Sequence, residues 1–222
     1  MILLEKTSVM NLENAVRGAR NPMNSWEKSD SFRCTECSYP FCEHKHECWD
    51  DYVIGPNDLD LCMRLRKAGP DHRKFMRQIF VSVDITAPLY WWKEYDTYKV
   101  GTTANSCSTM HTIHKRRLTI EDFSIEHLSP YAFVILSEYI WDINGLIRRY
   151  TETKDKQDWY SIIQMLPSSF NQMRTCTLTY ENLVNIYYAR RYHKLDEWHD
   201  FCEWIEKLPY SGLITGGNNE TD

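Results

Sequence analysis

The chain has 222 residues, 42% hydrophobic and 14% aromatic, which suits a single domain with one substantial core. Lysine and arginine number 26 against 31 acidic residues, and the net charge of −5 excludes general attraction to a nucleic acid polymer or an anionic membrane. Residues 1–4 form the only apolar stretch at the N-terminus, so we expect no export signal. No other apolar run approaches the length that spans a bilayer. We therefore expect a cytoplasmic protein with reduced cysteines.

Hydrophobic periodicity and turn signals predict the elements of the first half of the chain. Helices are predicted at residues 11–20 and from residue 56 to the Gly-Pro pair at 69–70. Residues 78–86 give the clearest strand, because apolar and polar side chains alternate there with period two. A helix over residues 88–99 follows, and residues 101–103 open a loop of small polar residues.

The second half of the chain is predicted to be mainly helical. A long apolar-rich segment indicates a core helix at residues 131–150, and shorter helices are predicted at 155–166, 182–190 and 195–205. Alternating threonines predict a second strand at residues 174–180. Strands mixed with longer helices, without a regular βαβ rhythm, favour an α+β fold.

A cysteine-rich segment at about residues 31–52 has neither a helical nor a strand period. We interpret it as an insertion in a single domain over residues 1–213, followed by a disordered tail at 214–222. Tetrahedral zinc needs four thiolates or imidazoles, which this segment can supply. A reduced, solvent-facing loop or a redox pair is the alternative to a structural zinc site. The zinc ligands predicted here are Cys34, Cys37, Cys42 and Cys48.

Two blocks of the sequence resemble the flavin-dependent thymidylate synthases. The run from His72 to Tyr95 is similar to the stretch in which a histidine precedes a strand, an Ala-Pro-like turn follows, and an aromatic helix leads into the family signature. Residues 183–190 are similar to the family's C-terminal helix, in which an asparagine meets the flavin and an arginine five residues later meets the nucleotide. Asn185 and Arg190 stand at these two positions.

The family signature itself is largely replaced in this chain. Its Arg-His-Arg falls on Thr97-Tyr98-Lys99, so only Lys99 keeps a cation. An arginine offers forked donors to flavin and phosphate, whereas a lysine offers a point charge. The remaining signature residues, Ser, Asn-Glu, Ser and Arg-Tyr, fall on Thr102, Ala104-Asn105, Cys107 and Thr109-Met110.

The resemblance implies a mixed, mainly antiparallel sheet with several packed helices, and a homotetramer with sites at subunit boundaries. It implies reductive methylation of dUMP to dTMP, with FAD as cofactor and methylenetetrahydrofolate and NADPH as co-substrates. Flavin would be bound by His72, Lys99 and Asn185, and Arg190 would serve catalysis as well as binding. The residues that would bind the pyrimidine deoxynucleotide are Glu94, Asn105, Cys107, Thr109, Arg174 and Arg190.

The sequence leaves three functions open. The first is an enzyme acting on a pyrimidine deoxynucleotide, and the second is a catalytically silent homologue that serves as a nucleotide-binding or protein-interaction module. The third is attack on a pyrimidine by a Cys107 thiolate without flavin, which gives this residue a catalytic role. His111, His114 and the basic residues 115–117 have the composition of a phosphate-binding edge, but in an acidic chain they are interpreted as a solvated basic turn and assigned no role.

Overall fold

The structure is a computed structural model that describes residues 1–34 and 52–217. The strands in these residues are β1 (Leu3–Met10), β2 (Phe32–Arg33), β3 (Tyr52–Val53), β4 (Phe80–Pro88), β5 (Thr103–Ser106) and β6 (Asn171–Thr179). The helices are α1 (Leu12–Ala19), α2 (Pro56–Lys67), α3 (Leu89–Tyr95), α4 (Thr109–Thr112), α5 (Pro130–Thr153), α6 (Lys156–Gln164), α7 (Tyr180–Arg190), α8 (Asp196–Glu206) and α9 (Gly212–Thr215). Helices are mixed with a mainly antiparallel sheet, so the predicted α+β fold class is confirmed.

The described strands form two sheets. One has four strands in the order β1-β4-β6-β5. The other pairs β2 with β3 in antiparallel register, with Phe32 opposite Val53 and Arg33 opposite Tyr52. This small sheet joins the two ends of the predicted insertion, while most of the cysteine-rich segment lies outside the described residues.

Tertiary contacts divide the chain into two compact units. Unit 1 comprises Met1–Leu3, Asp84–Thr97 and Ala104–Thr175. Unit 2 comprises Leu4–Val83, Tyr98–Thr103 and Cys176–Asp222. Strands β4 and β6 each begin in one unit and continue in the other.

Helix α5 organises the core of unit 1. Its start is fixed locally, because the Ser129 side chain accepts a hydrogen bond from the Ala132 amide and Pro130 fits the first turn. Its end comes at Lys154, which adopts a left-handed conformation with φ 60°. The predicted core helix is therefore confirmed and extends beyond residues 131–150. The buried cluster around it consists of Ile113, Leu118, Phe123, Leu136, Ile143, Ile147, Ile162 and Phe170.

Unit 2 has a helical core. Helix α7 packs against α8 and α9, and α1 packs against α2. Of the predicted apolar stripe Leu195, Trp198, Cys202 and Ile205, the last three are buried on α8, whereas Leu195 is half-buried and precedes the helix. Helix α9 ends at Thr215, inside the segment predicted as a tail, and residues 218–222 lie outside the described part of the chain.

Two local predictions need correction, and one strand was missed. The helix expected over residues 88–99 ends at Tyr95, because the backbone turns at residues 96–97, where the Thr97 amide bonds to the Glu94 carbonyl. The polar loop after Gly101 contains strand β5, whose side chains are all exposed and give no alternating pattern. Strand β1 was not predicted, because Val9 is its only buried residue.

Among the helices of residues 1–34 and 52–217, none has the length and apolar character of a membrane-spanning segment.

Candidate functional site

The site residues predicted from the sequence fall into two groups, one in each unit. The unit 2 group consists of His72, Lys99, Asn185 and Arg190. The unit 1 group consists of Glu94, Asn105, Cys107, Thr109 and Arg174.

Arg190, in the last turn of α7, is held in a defined orientation. Its Nε donates a hydrogen bond of 2.8 Å to the Tyr98 hydroxyl. The guanidinium carbon also lies 4.8 Å from the ring centroid of Trp198, within cation–π distance. A hydrogen bond and an aromatic face together fix both the direction and the plane of the guanidinium.

Asn182 positions the segment that carries Tyr98. Its Nδ2 donates a 2.7 Å hydrogen bond to the Val100 carbonyl, and its Oδ1 completes the capping box that Thr179 forms at the start of α7. Gly101 follows with φ +76°, and a Cβ there would lie only 3.2 Å from Asn182 Oδ1. Asn182 was not among the predicted site residues, although the Thr-x-x-Asn spacing of the capping box was visible in the sequence.

The three predicted flavin-binding residues are all exposed in unit 2. His72 follows α2, Lys99 follows Tyr98, and Asn185 lies on α7. Within the described residues, none of their side chains takes part in a hydrogen bond or an ion pair. Their polar groups are therefore accessible to a ligand.

Arg174 on β6 is the centre of the unit 1 group. Its Nη1 forms an ion pair of 2.7 Å with Asp96, and its Nε donates a 3.0 Å hydrogen bond to Gln172 Oε1. The guanidinium carbon lies 4.1 Å from the ring centroid of Trp92. Arg174 is thus anchored by an acid, an amide and an indole.

Gln172 connects Arg174 with the rebuilt signature loop. Its Nε2 donates to the Cys107 carbonyl at 3.0 Å and to Thr109 Oγ1 at 3.3 Å. The Cys107 amide in turn donates to the Met173 carbonyl at 2.9 Å. The structure therefore brings Cys107, Thr109 and Arg174 together through Gln172, which was not among the predicted residues.

The remaining substrate-binding candidates occupy the same unit. Asn105 is exposed on β5, and Glu94 is half-buried on α3. Cys107 is exposed, whereas burial raises the pKa of the Cys62 thiol and of the Cys202 thiol to about 12. Access therefore distinguishes Cys107 from these two buried thiols of unit 2.

The predicted zinc site lies mostly outside the described residues. Cys34 is described and half-buried, while Cys37, Cys42 and Cys48 fall in residues 35–51. Residues 1–34 and 52–217 contain no group of three or more His, Cys, Asp or Glu residues that could hold a metal. Zinc binding by the four cysteines stays a prediction.

The chain matches crystal structures over nearly its whole length. A structure of thymidylate synthase X from Helicobacter pylori with FAD and dUMP matches with a TM-score of 0.70, covering 99% of this chain and 100% of the other at 14% identity. The fold is that of the flavin-dependent thymidylate synthases. A second structure of this enzyme from the same organism, also complexed with FAD and dUMP, gives a TM-score of 0.65 at 13% identity, covering 97% of this chain and 98% of the other.

No protein-family model and no curated protein matches the sequence. At 13–14% identity the structural match establishes the thymidylate synthase X fold and leaves the chemistry to the residues of the site. The resemblance seen in the sequence is confirmed at this level.

Proposed function

We propose that the protein binds a pyrimidine deoxynucleotide such as dUMP and is a divergent flavin-dependent thymidylate synthase-like methyltransferase. The observation that carries the proposal is the fixed guanidinium of Arg190 on α7, in a fold whose Helicobacter pylori relatives contain FAD and dUMP. Arg190 also stands where the family's C-terminal helix carries its nucleotide-binding arginine.

An oriented guanidinium suits a nucleotide phosphate. Arginine keeps its charge at every physiological pH and offers donors in a planar fork that matches phosphate oxygens. Because Tyr98 and Trp198 already hold the side chain of Arg190, less conformational entropy is lost when it binds a ligand. Arg174, anchored by Asp96 and Trp92, is the second proposed substrate-binding arginine, with Glu94, Asn105, Cys107 and Thr109 in the same unit.

The described residues fit a nucleotide better than a flavin. Lys99 offers one ammonium where the family signature offers two arginines, and the Tyr98 hydroxyl accepts the hydrogen bond from Arg190. His72 and Asn185 add one exposed imidazole and one exposed amide. A bound flavin supplies the redox chemistry of thymidylate synthesis, with methylenetetrahydrofolate and NADPH as co-substrates. We therefore propose weak flavin binding, and we derive no catalytic step from it.

A second candidate function is a catalytically silent nucleotide-binding or interaction module. Tyr98 favours the silent homologue, because it replaces the histidine of the family signature and its hydroxyl is hydrogen-bonded to Arg190. A role for Cys107 as a nucleophile on the pyrimidine also stays a prediction, supported by the exposure of its side chain.

Calorimetry with dUMP, with and without added FAD, tests the proposed function. We expect dUMP to bind at micromolar to millimolar concentration, because charge-assisted contacts are stronger than neutral ones. FAD should bind weakly, and the purified protein should show little flavin absorption. Nucleotide binding without any turnover of dUMP in the presence of FAD, methylenetetrahydrofolate and NADPH would favour the silent homologue. Failure to bind either ligand at millimolar concentration would contradict the proposal.

We also propose that the protein is a homotetramer. The first turns of α5 expose a run of apolar side chains, and contiguous exposed apolar surface is typical of protein interfaces. These residues are Tyr131, Phe133, Val134 and Ile135. Light scattering should give about four times the mass of one chain. The double variant Val134→Glu, Ile135→Glu should lower that mass without unfolding the protein, and a stable wild-type monomer at micromolar concentration would contradict the proposal.

A further inference from the structure

Unit 1 contains a cavity of about 760 Å³ whose lining includes none of the predicted site residues. It is formed by residues 114–117 and by the second half of α5, all within unit 1. Its volume lies in the range of small-molecule sites, roughly 300–1,000 Å³. The lining residues on which the inference rests are His114, Lys115, Arg117, Trp141, Gly145 and Arg148.

The cavity is strongly basic although the chain is acidic. Its lining contains Lys115, Arg116, Arg117, Arg148 and Lys154 against the single acid Glu152. Arg116 is neutralised by Asp122, but Lys115, Arg117 and Arg148 have no carboxylate within 4.0 Å among the described residues. Unpaired cations that line one cavity create a positive potential, which an anion relieves. This local excess of positive charge contrasts with the formal net charge of −5 of the whole chain.

The lining also contains an aromatic surface and an unsatisfied polar atom. Trp141 is 75% exposed, although tryptophan is mostly buried in folded proteins. His114 packs edge-on against Tyr150, and its buried Nδ1 has no hydrogen-bond partner in the described residues. A buried polar atom without a partner requires an explanation, and a bound ligand is one.

Gly145 keeps the cavity open between Trp141 and Arg148. Glycine inside a helix is destabilising relative to alanine, so its presence in the middle of α5 calls for a reason. A Cβ at Gly145 would meet no atom within 4 Å, so no neighbouring group excludes a side chain there. What the glycine provides is space along the helix surface that lines the cavity.

We propose that this cavity binds a nucleoside triphosphate. The phosphates contact Lys115, Arg117 and Arg148, and the base stacks on Trp141, because a nucleotide combines the negative charge and the flat ring that this lining matches. Glu152 is placed in the same lining to accept hydrogen bonds from ribose hydroxyls. The inference does not depend on dUMP binding by Arg190.

Calorimetry on the full chain at about 0.15 M NaCl tests the proposal with three probes, ATP, inorganic tripolyphosphate and adenosine. ATP should bind most tightly, tripolyphosphate more weakly, and adenosine most weakly of the three. The double variant Arg117→Ala, Arg148→Ala should weaken ATP binding at least tenfold, because charge-assisted contacts to phosphate are lost. Arg64→Ala, which removes an exposed arginine on α2, is the matched control and should leave ATP binding unchanged.

Two further variants separate ligand binding from folding. Trp141→Ala should weaken ATP binding several-fold and leave tripolyphosphate binding unchanged, because only the base is stacked. Gly145→Leu should weaken ATP binding by placing a bulky side chain in the space between Trp141 and Arg148, while the melting temperature stays the same or rises because leucine favours the helix.

Several outcomes would overturn the proposal. Equal affinity for ATP and tripolyphosphate, with no effect of Trp141→Ala, would show a simple polyanion site. Tighter binding of a single-stranded oligonucleotide than of ATP, weakened by Gly145→Leu, would assign the cavity to nucleic acid. No ATP binding at millimolar concentration would also contradict it. Arg190→Ala should leave ATP binding intact, so failure at the dUMP site and failure at this cavity are distinguishable.

Discussion

Replacing Arg190 by alanine should weaken dUMP binding by about 10- to 100-fold, or about 1.5–3 kcal/mol. The effect is large because the variant removes a guanidinium that is already held in place. Arg190 is fixed by a hydrogen bond to Tyr98 and by the ring face of Trp198. Arg190→Lys should recover only part of the affinity, since an ammonium cannot make two parallel hydrogen bonds to a phosphate. Calorimetry with dUMP on wild type and both variants measures this difference.

Two matched variants separate the guanidinium from its support. Tyr98→Phe removes only the hydroxyl that accepts from Arg190 Nε, so dUMP affinity should fall a few-fold. Lys99→Ala should cost less than Arg190→Ala, because the Lys99 ammonium is exposed and acts as a screened point charge. Unchanged dUMP binding by Arg190→Ala, in a protein with wild-type melting behaviour, would remove Arg190 from the proposed nucleotide site.

The replacement of Asp58 by alanine should lower the free energy of unfolding by about 3–5 kcal/mol. Asp58 is 0% exposed and forms an ion pair with Arg20, which is 5% exposed. Its carboxylate also accepts hydrogen bonds from Ser29 Oγ and from the amide and hydroxyl of Ser31. Removing the carboxylate leaves the Arg20 guanidinium buried without its counter-ion, which is the costly half of a broken buried pair.

Urea denaturation measures the effect, and Asp60→Ala is the matched control. Asp60 lies on the same helix and forms an exposed pair with Arg64 at i,i+4, so its removal should cost only about 0.3–0.5 kcal/mol. A loss below about 1 kcal/mol for Asp58→Ala would contradict the assigned role of the pair.

The same pair predicts acid sensitivity. Burial raises the pKa of Asp58, but the hydrogen bonds from Ser29, Ser31 and Arg20 outweigh it and hold the pKa below its ordinary value of 3.8. Because the pKa of Asp58 is lower in the folded state than in the unfolded state, its ionised carboxylate stabilises the fold. This contribution is complete above pH 3.8, and it is lost as the pH falls through the lowered pKa of the folded state. Wild type should therefore lose stability below about pH 4, and Asp58→Ala should show a flatter dependence there.

Local patterns in the sequence determined most of the helices and two strands, β4 and β6. The alternation before Pro88 predicted β4, and the turn signals around α2 marked both of its ends. These signals work because periodicity and capping involve residues at most four positions apart. The resemblance of two blocks to the flavin-dependent thymidylate synthases led to the fold that the structural comparison shows, and it singled out Asn185 and Arg190.

Only the tertiary structure decided how the site residues are supported. The Arg190 hydrogen bond joins residues 92 positions apart, and the Arg174 ion pair joins residues 78 positions apart. Neither partner could be read from a local pattern, because periodicity and capping relate residues only a few positions apart. The basic turn at residues 114–117 was interpreted as a solvated surface for the same reason. This turn lines a cavity only because helix α5 packs against it. Trp141, Gly145 and Arg148 of α5 follow the turn by some 24 to 34 positions in the sequence.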